Sequence, residues 1–192
     1  LAALLAEADQ ALKQKPVSVV DDELVPPSGD RRDYMSVGPY WWPNPKTENG
    51  LPYVRRDGEV NPERNEGDSV ALGRMNRAVQ SLCLGYFFSG REEYAEHAAC
   101  LLRTWFLDPE TGMKPNLTYG QAIPGITEGR GIGIIDTASL ASLVDVVGLL
   151  DPSPAWTEAD RQGLEQWFGA YLDWLLNSKQ GQDEARAHNN QR

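Results

Sequence analysis

The chain has 192 residues, of which 41% are apolar and 24% charged, and this balance is typical of a single soluble globular domain. Its formal net charge of -10 argues against nucleic acid as a partner, because binding to phosphates depends on an excess of basic residues. No apolar run approaches the roughly 18 to 20 residues that a membrane-spanning helix needs, so we expect no membrane partner.

Apolar residues that recur at three- and four-residue steps predict a series of amphipathic helices. A Ser-Gly pair is expected to end one of them at Gly90, and Thr157 is a candidate N-cap for the last. Cys83 and Cys100 fall on apolar faces, so we expect both thiols to be buried; a single disulfide between neighbouring helices is the less favoured alternative. The predicted helices cover a weak pattern over residues 2–14 and strong patterns over 68–88, 91–107, 136–150 and 157–177.

The chain shows no sustained alternation of apolar and polar residues. A substantial sheet is therefore not expected, and the predicted fold class is all-α. Short strand pairings remain open in the loops that are rich in glycine and proline. We interpret residues 1–192 as one domain.

Three long connections accompany the predicted helices, at residues 15–67, 108–135 and 178–192. They are the first, third and fifth connections, and consecutive antiparallel helices place alternate connections at the same end of a stack. We therefore expect all three to meet at one end. Long loops of this kind are typically functional, so they are the candidate site.

Three consecutive aromatic residues, Tyr40, Trp41 and Trp42, stand between prolines in the first loop. The apolar faces of sugar rings stack on such side chains, and large aromatic residues are costly to leave exposed without a role. A sugar-binding function is favoured over the alternative, in which the rings only fix the loop to the helix ends.

Two arginines follow in the same loop. Arg55 and Arg56 can hold a uronate carboxylate by paired hydrogen bonds. Alternatively, they form surface ion pairs with Asp57 and Glu59, which would contribute little to binding. The sequence favours neither hypothesis over the other.

The second loop carries Gln121 and Arg130 among several glycines, which allow the backbone to approach a ligand closely. These two side chains can bind sugar hydroxyls and carboxylates. In the alternative, Arg130 pairs with Glu128 and the glycines only form turns. The glycine spacing does not match a dinucleotide-binding fingerprint, and no strand precedes it.

Three long motifs in these loops, followed by Asn189-Asn190, resemble the alginate lyase superfamily of polysaccharide lyases, which have an α/α-toroid fold. The resemblance covers about residues 33–190. Five helices are fewer than a closed toroid needs, so we expect an incomplete α/α toroid, the N-terminal part of a larger domain. The motifs are GPYWWPNP, LPYVRRDGEVNPE and YGQAIPGITEGRGIGIIDT, which begin at Gly38, Leu51 and Tyr119.

The resemblance implies that the protein cleaves a uronic-acid polymer such as alginate by β-elimination, without a metal or organic cofactor. The expected partner is an anionic polysaccharide, and the expected location is periplasmic or secreted. By match to the family motif Asn-Asn-His-Gly, Asn190 donates hydrogen bonds that neutralise the substrate carboxylate, and Asn189 shapes the loop. Gln191 stands where the family has its catalytic histidine, and glutamine has no useful basicity. The resemblance therefore implies fold and ancestry more directly than activity.

The same resemblance gives roles to the side chains of the two earlier loops. Tyr40, Trp41 and Trp42 are expected to form a lid over the bound polymer. Gln121 and Arg130 are expected to line the wall of the cleft and hold uronate groups.

Two other functions remain open. The missing histidine at position 191 is consistent with a non-catalytic polyuronate-binding module that has kept the cleft. A glycoside hydrolase on the same fold would need two carboxylates roughly 5 to 10 Å apart. Glu63 and Glu128 are the candidates, because they lie in different site loops.

Overall fold

The computed structural model describes residues 1–187, except for the side chains of residues 65 and 66. This part of the chain contains six α-helices and four short strands, which confirms the all-α class. The helices are α1 (Ala2–Ala11), α2 (Asp68–Ser89), α3 (Glu92–Leu102), α4 (Leu140–Val147), α5 (Glu158–Asn177) and α6 (Lys179–Arg186).

Helix α2 lies at the centre of the helix stack and packs against α1, α3 and α4. It ends at Gly90, whose φ of 68° is a left-handed conformation that glycine adopts without strain. Each large apolar side chain buried on α2 stabilises the fold by roughly 1.5 to 3 kcal/mol. The apolar side chains that are fully buried on α2 are those of Leu72, Met75, Val79, Leu82 and Cys83.

Helix α3 continues into a π-helical turn at Arg103–Leu107, and α5 packs against this turn. Thr157 is the N-cap of α5, as predicted, and forms a capping box with Asp160. Arg103 donates hydrogen bonds of 2.7 and 2.6 Å to the Asp160 carboxylate. These bonds lower the pKa of Asp160 to about 2. The start of α5 is thus tied to the end of α3.

The predicted helix over 136–150 begins later than expected. Residues Gly131–Thr137 form a 3-10 segment, and α4 starts only at Leu140. Gly133 packs so closely on Gly120 that a Cβ atom on Gly133 would lie 2.5 Å from the Gly120 carbonyl oxygen. We infer that contacts with the second loop set the geometry of this segment.

The segment 178–192, predicted as a loop, contains helix α6. Ser178 caps this helix, since its hydroxyl accepts a hydrogen bond of 3.0 Å from Gly181 N. The helix sequence KQGQDEAR is almost entirely polar. No apolar stripe therefore indicated a helix here.

The prediction that both thiols are buried is right for Cys83 and wrong for Cys100, which is exposed. Burial raises the pKa of the Cys83 thiol to about 12. Cys100 lies on the side of α3 opposite to the buried stripe that contains Ala98, Leu101 and Leu102. Both thiols are free.

Four short strands lie in the long loops and form two two-stranded sheets. The first sheet pairs a strand of the first loop in parallel with a strand of the second loop, and the second sheet is an antiparallel hairpin within the first loop. The strands are β1 (Met35–Val37), β2 (Trp41–Trp42), β3 (Val54–Arg55) and β4 (Tyr119–Ala122), with β1 paired to β4 and β2 to β3.

The expectation that no apolar run is long enough to span a membrane is wrong for residues Gly131–Leu150, which pass by length and composition alone. In the structure this stretch is divided into the 3-10 segment, α4 and a final 3-10 turn. Helix α4 packs against α2. Leu140, Leu143 and Val147 of α4 are buried in the core of the helix stack.

Candidate functional site

The first and second loops are joined by backbone hydrogen bonds. Gly38 N donates to Ala122 O at 2.9 Å, next to the β1–β4 pairing. Farther along, Tyr53 N donates to Pro124 O at 3.0 Å. Because both ends of the first loop's hairpin are tied to the second loop, the two loops form one continuous surface.

The C-terminal segment reaches the same surface through α6. Gln180 Nε2 donates a hydrogen bond of 3.2 Å to Thr118 O in the second loop. A Cβ atom on Gly131 would lie 2.8 Å from the Gln180 carbonyl oxygen, so a glycine is needed for this close approach. Within residues 1–187, all three long connections therefore come together. Asn189, Asn190 and Gln191 lie outside the described residues, and their roles stay predictions.

The aromatic hairpin, which we define as residues 40–56, carries the predicted lid. The register of β2 and β3 places Trp41 opposite Arg55. Tyr40 is 40% exposed, whereas Trp41 and Trp42 are half-buried. Indole and phenol surface thus remains accessible on the hairpin.

One face of Trp42 is already occupied within the hairpin. The Arg56 guanidinium lies over the Trp42 ring, 4.8 Å from the ring centroid, and pairs with Glu59 at 3.7 Å. Trp42 Nε1 donates to Glu59 O at 3.0 Å. Arg55 pairs with Asp57 at 3.0 Å. Both ion pairs of the alternative hypothesis are therefore present, and both are exposed.

The second loop contributes an arginine held by a glutamine. Arg130 Nε donates to Gln121 O at 2.8 Å, and Arg130 Nη2 donates to Gln121 Oε1 at 3.0 Å. In residues 1–187 Arg130 forms no ion pair with Glu128, the partner in the alternative hypothesis. Gln121 has a φ of 47°, a left-handed conformation that costs a non-glycine residue roughly 1 to 2 kcal/mol.

A partly buried carboxylate that the sequence did not indicate, Asp136, holds the glutamine in turn. Asp136 accepts hydrogen bonds from Gln121 Nε2 (3.1 Å), Ser36 Oγ (2.6 Å) and Tyr34 OH (3.1 Å). Ser36 Oγ also accepts from Gln121 N at 2.8 Å. We call Gln121, Arg130, Asp136 and Ser36 the wall.

The signal for this network in the sequence is weak. Tyr34 and Ser36 are two residues apart, so an extended backbone directs both side chains to one side. Their common partner Asp136 lies about 100 residues later, at the start of the helix predicted over 136–150. Burial, together with the charge of Asp136, raises the pKa of Tyr34 well above its usual value, so this hydroxyl acts as a donor.

The wall and the aromatic hairpin meet at Gly38. A Cβ atom on Gly38 would lie 2.6 Å from Arg130 Nη2 and 2.9 Å from Trp41 Cδ1. Only a residue without a side chain allows the guanidinium and the indole to approach the same point of the backbone. The arrangement places a cation beside an aromatic ring edge.

Two arginine side chains, Arg130 and Arg55, bring positive charges near this junction. Burial lowers the pKa of Arg130; Asp136 opposes this effect, and the nearby charge of Arg55 adds to it. Arginine nevertheless stays protonated in proteins. Arg130 and Arg55 are therefore two like charges close enough to interact, and an anionic ligand would relieve their repulsion.

Glu63 and Glu128, the two carboxylates that a glycoside hydrolase would use, lie in different surroundings. Glu63 Oε2 accepts hydrogen bonds from Tyr53 OH (2.7 Å) and Asn61 Nδ2 (3.1 Å). These hydrogen bonds connect residues within the first loop. Glu128 is exposed, and nothing in the geometry pairs it with Glu63.

A separate groove of about 720 Å³ lies between α4 and α5. Its lining is mainly apolar and includes Val144, Leu164 and Phe168. No candidate site residue of the first two loops lines it. In the described part of the chain, no group of three His, Cys, Asp or Glu side chains could hold a metal ion.

The fold defines a class of protein: mainly helical chains whose long loops join at one surface. The chain belongs to the alginate lyase family, since the model of that family matches residues 18–192. Among solved structures, the chain is similar to an alginate lyase from Bacteroides ovatus, with 46% sequence identity and a TM-score of 0.95. The match covers 99% of this chain and 50% of that lyase, so the chain spans half the length of its relative. The comparison with curated proteins gave no match.

Proposed function

We propose that the protein is a polysaccharide lyase that binds alginate or a related polyuronate between the aromatic hairpin and the wall and cleaves it by β-elimination. The observation that carries the proposal is the junction at Gly38, where Arg130 and Trp41 approach the same point. This pair suits a sugar acid, because an indole can stack on the sugar ring while a guanidinium binds its carboxylate. Family membership supports the same function.

The chemistry of β-elimination explains why such a cleft needs donors. The carboxylate must be neutralised before a base can remove the C5 proton; the C4–O bond then breaks, a C4–C5 double bond forms, and an acid protonates the leaving oxygen. Nη1 of Arg130 makes no hydrogen bond within residues 1–187 and is available to a uronate. Asn190 is proposed to donate at the reacting sugar. Gln191 can donate and accept hydrogen bonds but cannot take up the C5 proton.

The fold and location are part of the proposal. We propose that the helix stack is part of an α/α toroid, which agrees with a match to half of the longer lyase. A periplasmic or secreted location is proposed, since polymeric uronates are encountered outside the cytoplasm. Neither nucleic acid nor a membrane is proposed as a partner.

A second candidate function is a polyuronate-binding module without catalysis. Gln191 favours it, because the family has a histidine at this position. It requires the same wall and the same hairpin, so binding alone cannot separate it from the lyase.

One experiment with two readouts tests both candidates. The protein is mixed with polymannuronate, polyguluronate or glucuronan, while tryptophan fluorescence reports binding and ultraviolet absorbance reports the unsaturated product. Product from any polymer supports the lyase. Binding without product, together with product from Gln191→His but not from the equally non-basic control Gln191→Asn, supports the binding module. Neither binding nor product from any of these proteins would overturn both proposals.

A further inference from the structure

The Gln121 side chain joins two groups with opposite hydrogen-bonding capacity. A guanidinium only donates hydrogen bonds, and an ionised carboxylate only accepts them. Gln121 Nε2 donates to Asp136 Oδ1 at 3.1 Å, while its Oε1 accepts from Arg130 Nη2 at 3.0 Å. A half-turn of the amide would set two donors against each other at Arg130 and two acceptors against each other at Asp136.

We propose that Asp136 is a positioning residue for polyuronate binding, which fixes the Gln121 amide and through it the direction of the Arg130 guanidinium. The inference rests on the proposed function, in which Arg130 binds a substrate carboxylate. Asp136 acts through Gln121 and does not itself contact the sugar. Nothing in the family comparison assigns this role.

Asp136 is itself held in one place, which the role requires. Tyr34 is fully buried and donates to Asp136 Oδ2, as does Ser36. The same Ser36 hydroxyl accepts from Gln121 N at 2.8 Å. This hydroxyl contacts both the Asp136 carboxylate and the strained Gln121 backbone. It therefore links the position of Asp136 to that of Gln121.

We expect ligand binding to be stronger because Arg130 is already held in place before the ligand arrives. A long arginine side chain loses conformational freedom when it binds a ligand, and part of that cost is avoided if the side chain is already fixed. An asparagine at position 136 has one acceptor oxygen where the carboxylate has two. When that oxygen accepts from Tyr34 and Ser36, its NH2 group faces Gln121 Nε2, so the Gln121 amide turns and Arg130 loses its bond to Oε1. Arg130 keeps its charge, so binding should weaken but not disappear.

The test uses Asp136→Asn, which keeps the shape and replaces the carboxylate by an amide. The expected result is about tenfold weaker binding of a mannuronate oligomer, measured by tryptophan fluorescence. Asp145→Asn is the matched control, because it makes the same charge change at an exposed position of α4 and should alter binding less than twofold. Equal weakening by both variants would overturn the proposal.

A double-mutant cycle separates positioning from a general structural effect. If Asp136 acts through Arg130, Asp136→Asn has no further effect on binding in an Arg130→Ala background. The same tenfold loss in both backgrounds would overturn the proposal. Should Asp136→Asn fail to fold, Ser36→Ala replaces it in the cycle, and unchanged binding by that variant would count against the proposal.

A readout without ligand distinguishes failure of this inference from failure of the proposed function. In ¹⁵N NMR spectra, the Arg130 Nη2–H signal, identified by its loss in Arg130→Ala, should exchange slowly with solvent in the wild type, because Nη2 donates to Gln121 Oε1. It should exchange at least tenfold faster in Asp136→Asn. If no polyuronate binds, the proposed function fails. An unchanged Nη2–H exchange rate overturns the positioning role whether or not a polyuronate binds.

Discussion

The wall and the aromatic hairpin lie side by side but are held by different forces. In the wall, Gln121 is fixed through its backbone N–H, its carbonyl and its side-chain amide. In the hairpin, the Arg55 and Asp57 side chains of the ion pair are 61% and 79% exposed. Such exposed pairs contribute roughly 0 to 1 kcal/mol. We therefore expect the wall to supply a preformed site for the carboxylate of a uronate, and the hairpin to supply an adjustable stacking surface.

The largest effect is expected from Arg130→Ala. This change removes a half-buried cation that is already oriented, so binding of mannuronate oligomers should weaken roughly 10- to 100-fold. Arg55→Ala is the control from the hairpin and should weaken binding about threefold or less, because its exposed charge is already paired. Titrations followed by tryptophan fluorescence measure both. Equal losses would remove the distinction between the two regions.

Gly38→Ala should disturb the wall and the hairpin together. The new methyl group would lie 2.6 Å from Arg130 Nη2 and 2.9 Å from Trp41 Cδ1, so both side chains must move apart. We expect about tenfold weaker binding and a loss of about 1 to 3 kcal/mol in the free energy of unfolding. Gly148→Ala is the matched control, since a Cβ atom there would meet nothing within 4 Å. Unchanged binding by Gly38→Ala would show that the junction is not part of the site.

A smaller effect is expected from Trp41→Ala. Loss of a stacking ring should weaken binding about three- to tenfold, and Trp41→Phe should restore most of it. A mannuronate oligomer with its carboxylates reduced to alcohols sharpens the comparison. The Trp41 effect should persist with this neutral oligomer, whereas the Arg130 effect should vanish. Dependence of both effects on the carboxylates would contradict the division of roles.

The smallest effect on the site is expected from Asp68, which should influence the free energy of unfolding and not binding. Asp68 accepts a hydrogen bond of 2.7 Å from Met35 N, next to Ser36 of the wall. Burial, and to a lesser degree the charge of Asp22, raises the pKa of Asp68 above its usual 3.8. The folded state therefore binds this proton more tightly. The contribution of Asp68 to stability is greatest below about pH 4 and falls as the pH rises towards the raised pKa. Urea unfolding between pH 4 and 8 should show less of this fall for Asp68→Asn than for the control Asp145→Asn. If the free energy of unfolding falls equally with pH in both variants, the raised pKa does not belong to Asp68.

The sequence predicted the helices that bury a stripe of apolar residues. Helix α2 and the cap of α5 at Thr157 are local features, and they were found where expected. Helix α6 was missed because its polar sequence lacks a stripe. The order of long and short connections also predicted that the loops meet, since that inference depends only on antiparallel helices.

The interior of the candidate site was harder to predict. Gln121 and Arg130 were recognised from their motif, but their mutual hydrogen bonds were not. Ser36 and Asp136 are 100 residues apart in the sequence, and no local pattern indicates such a contact. The exposed ion pairs of Arg55 and Arg56 involve residues two and three positions away, which is why the sequence could name their partners.

A crystal structure of the protein with a mannuronate oligomer tests the central claim most directly. The account predicts a sugar ring against Trp41 with its carboxylate bonded to Arg130 Nη1. An oligomer bound elsewhere, for example in the apolar groove between α4 and α5, with Arg130 and Trp41 free of sugar, would contradict it.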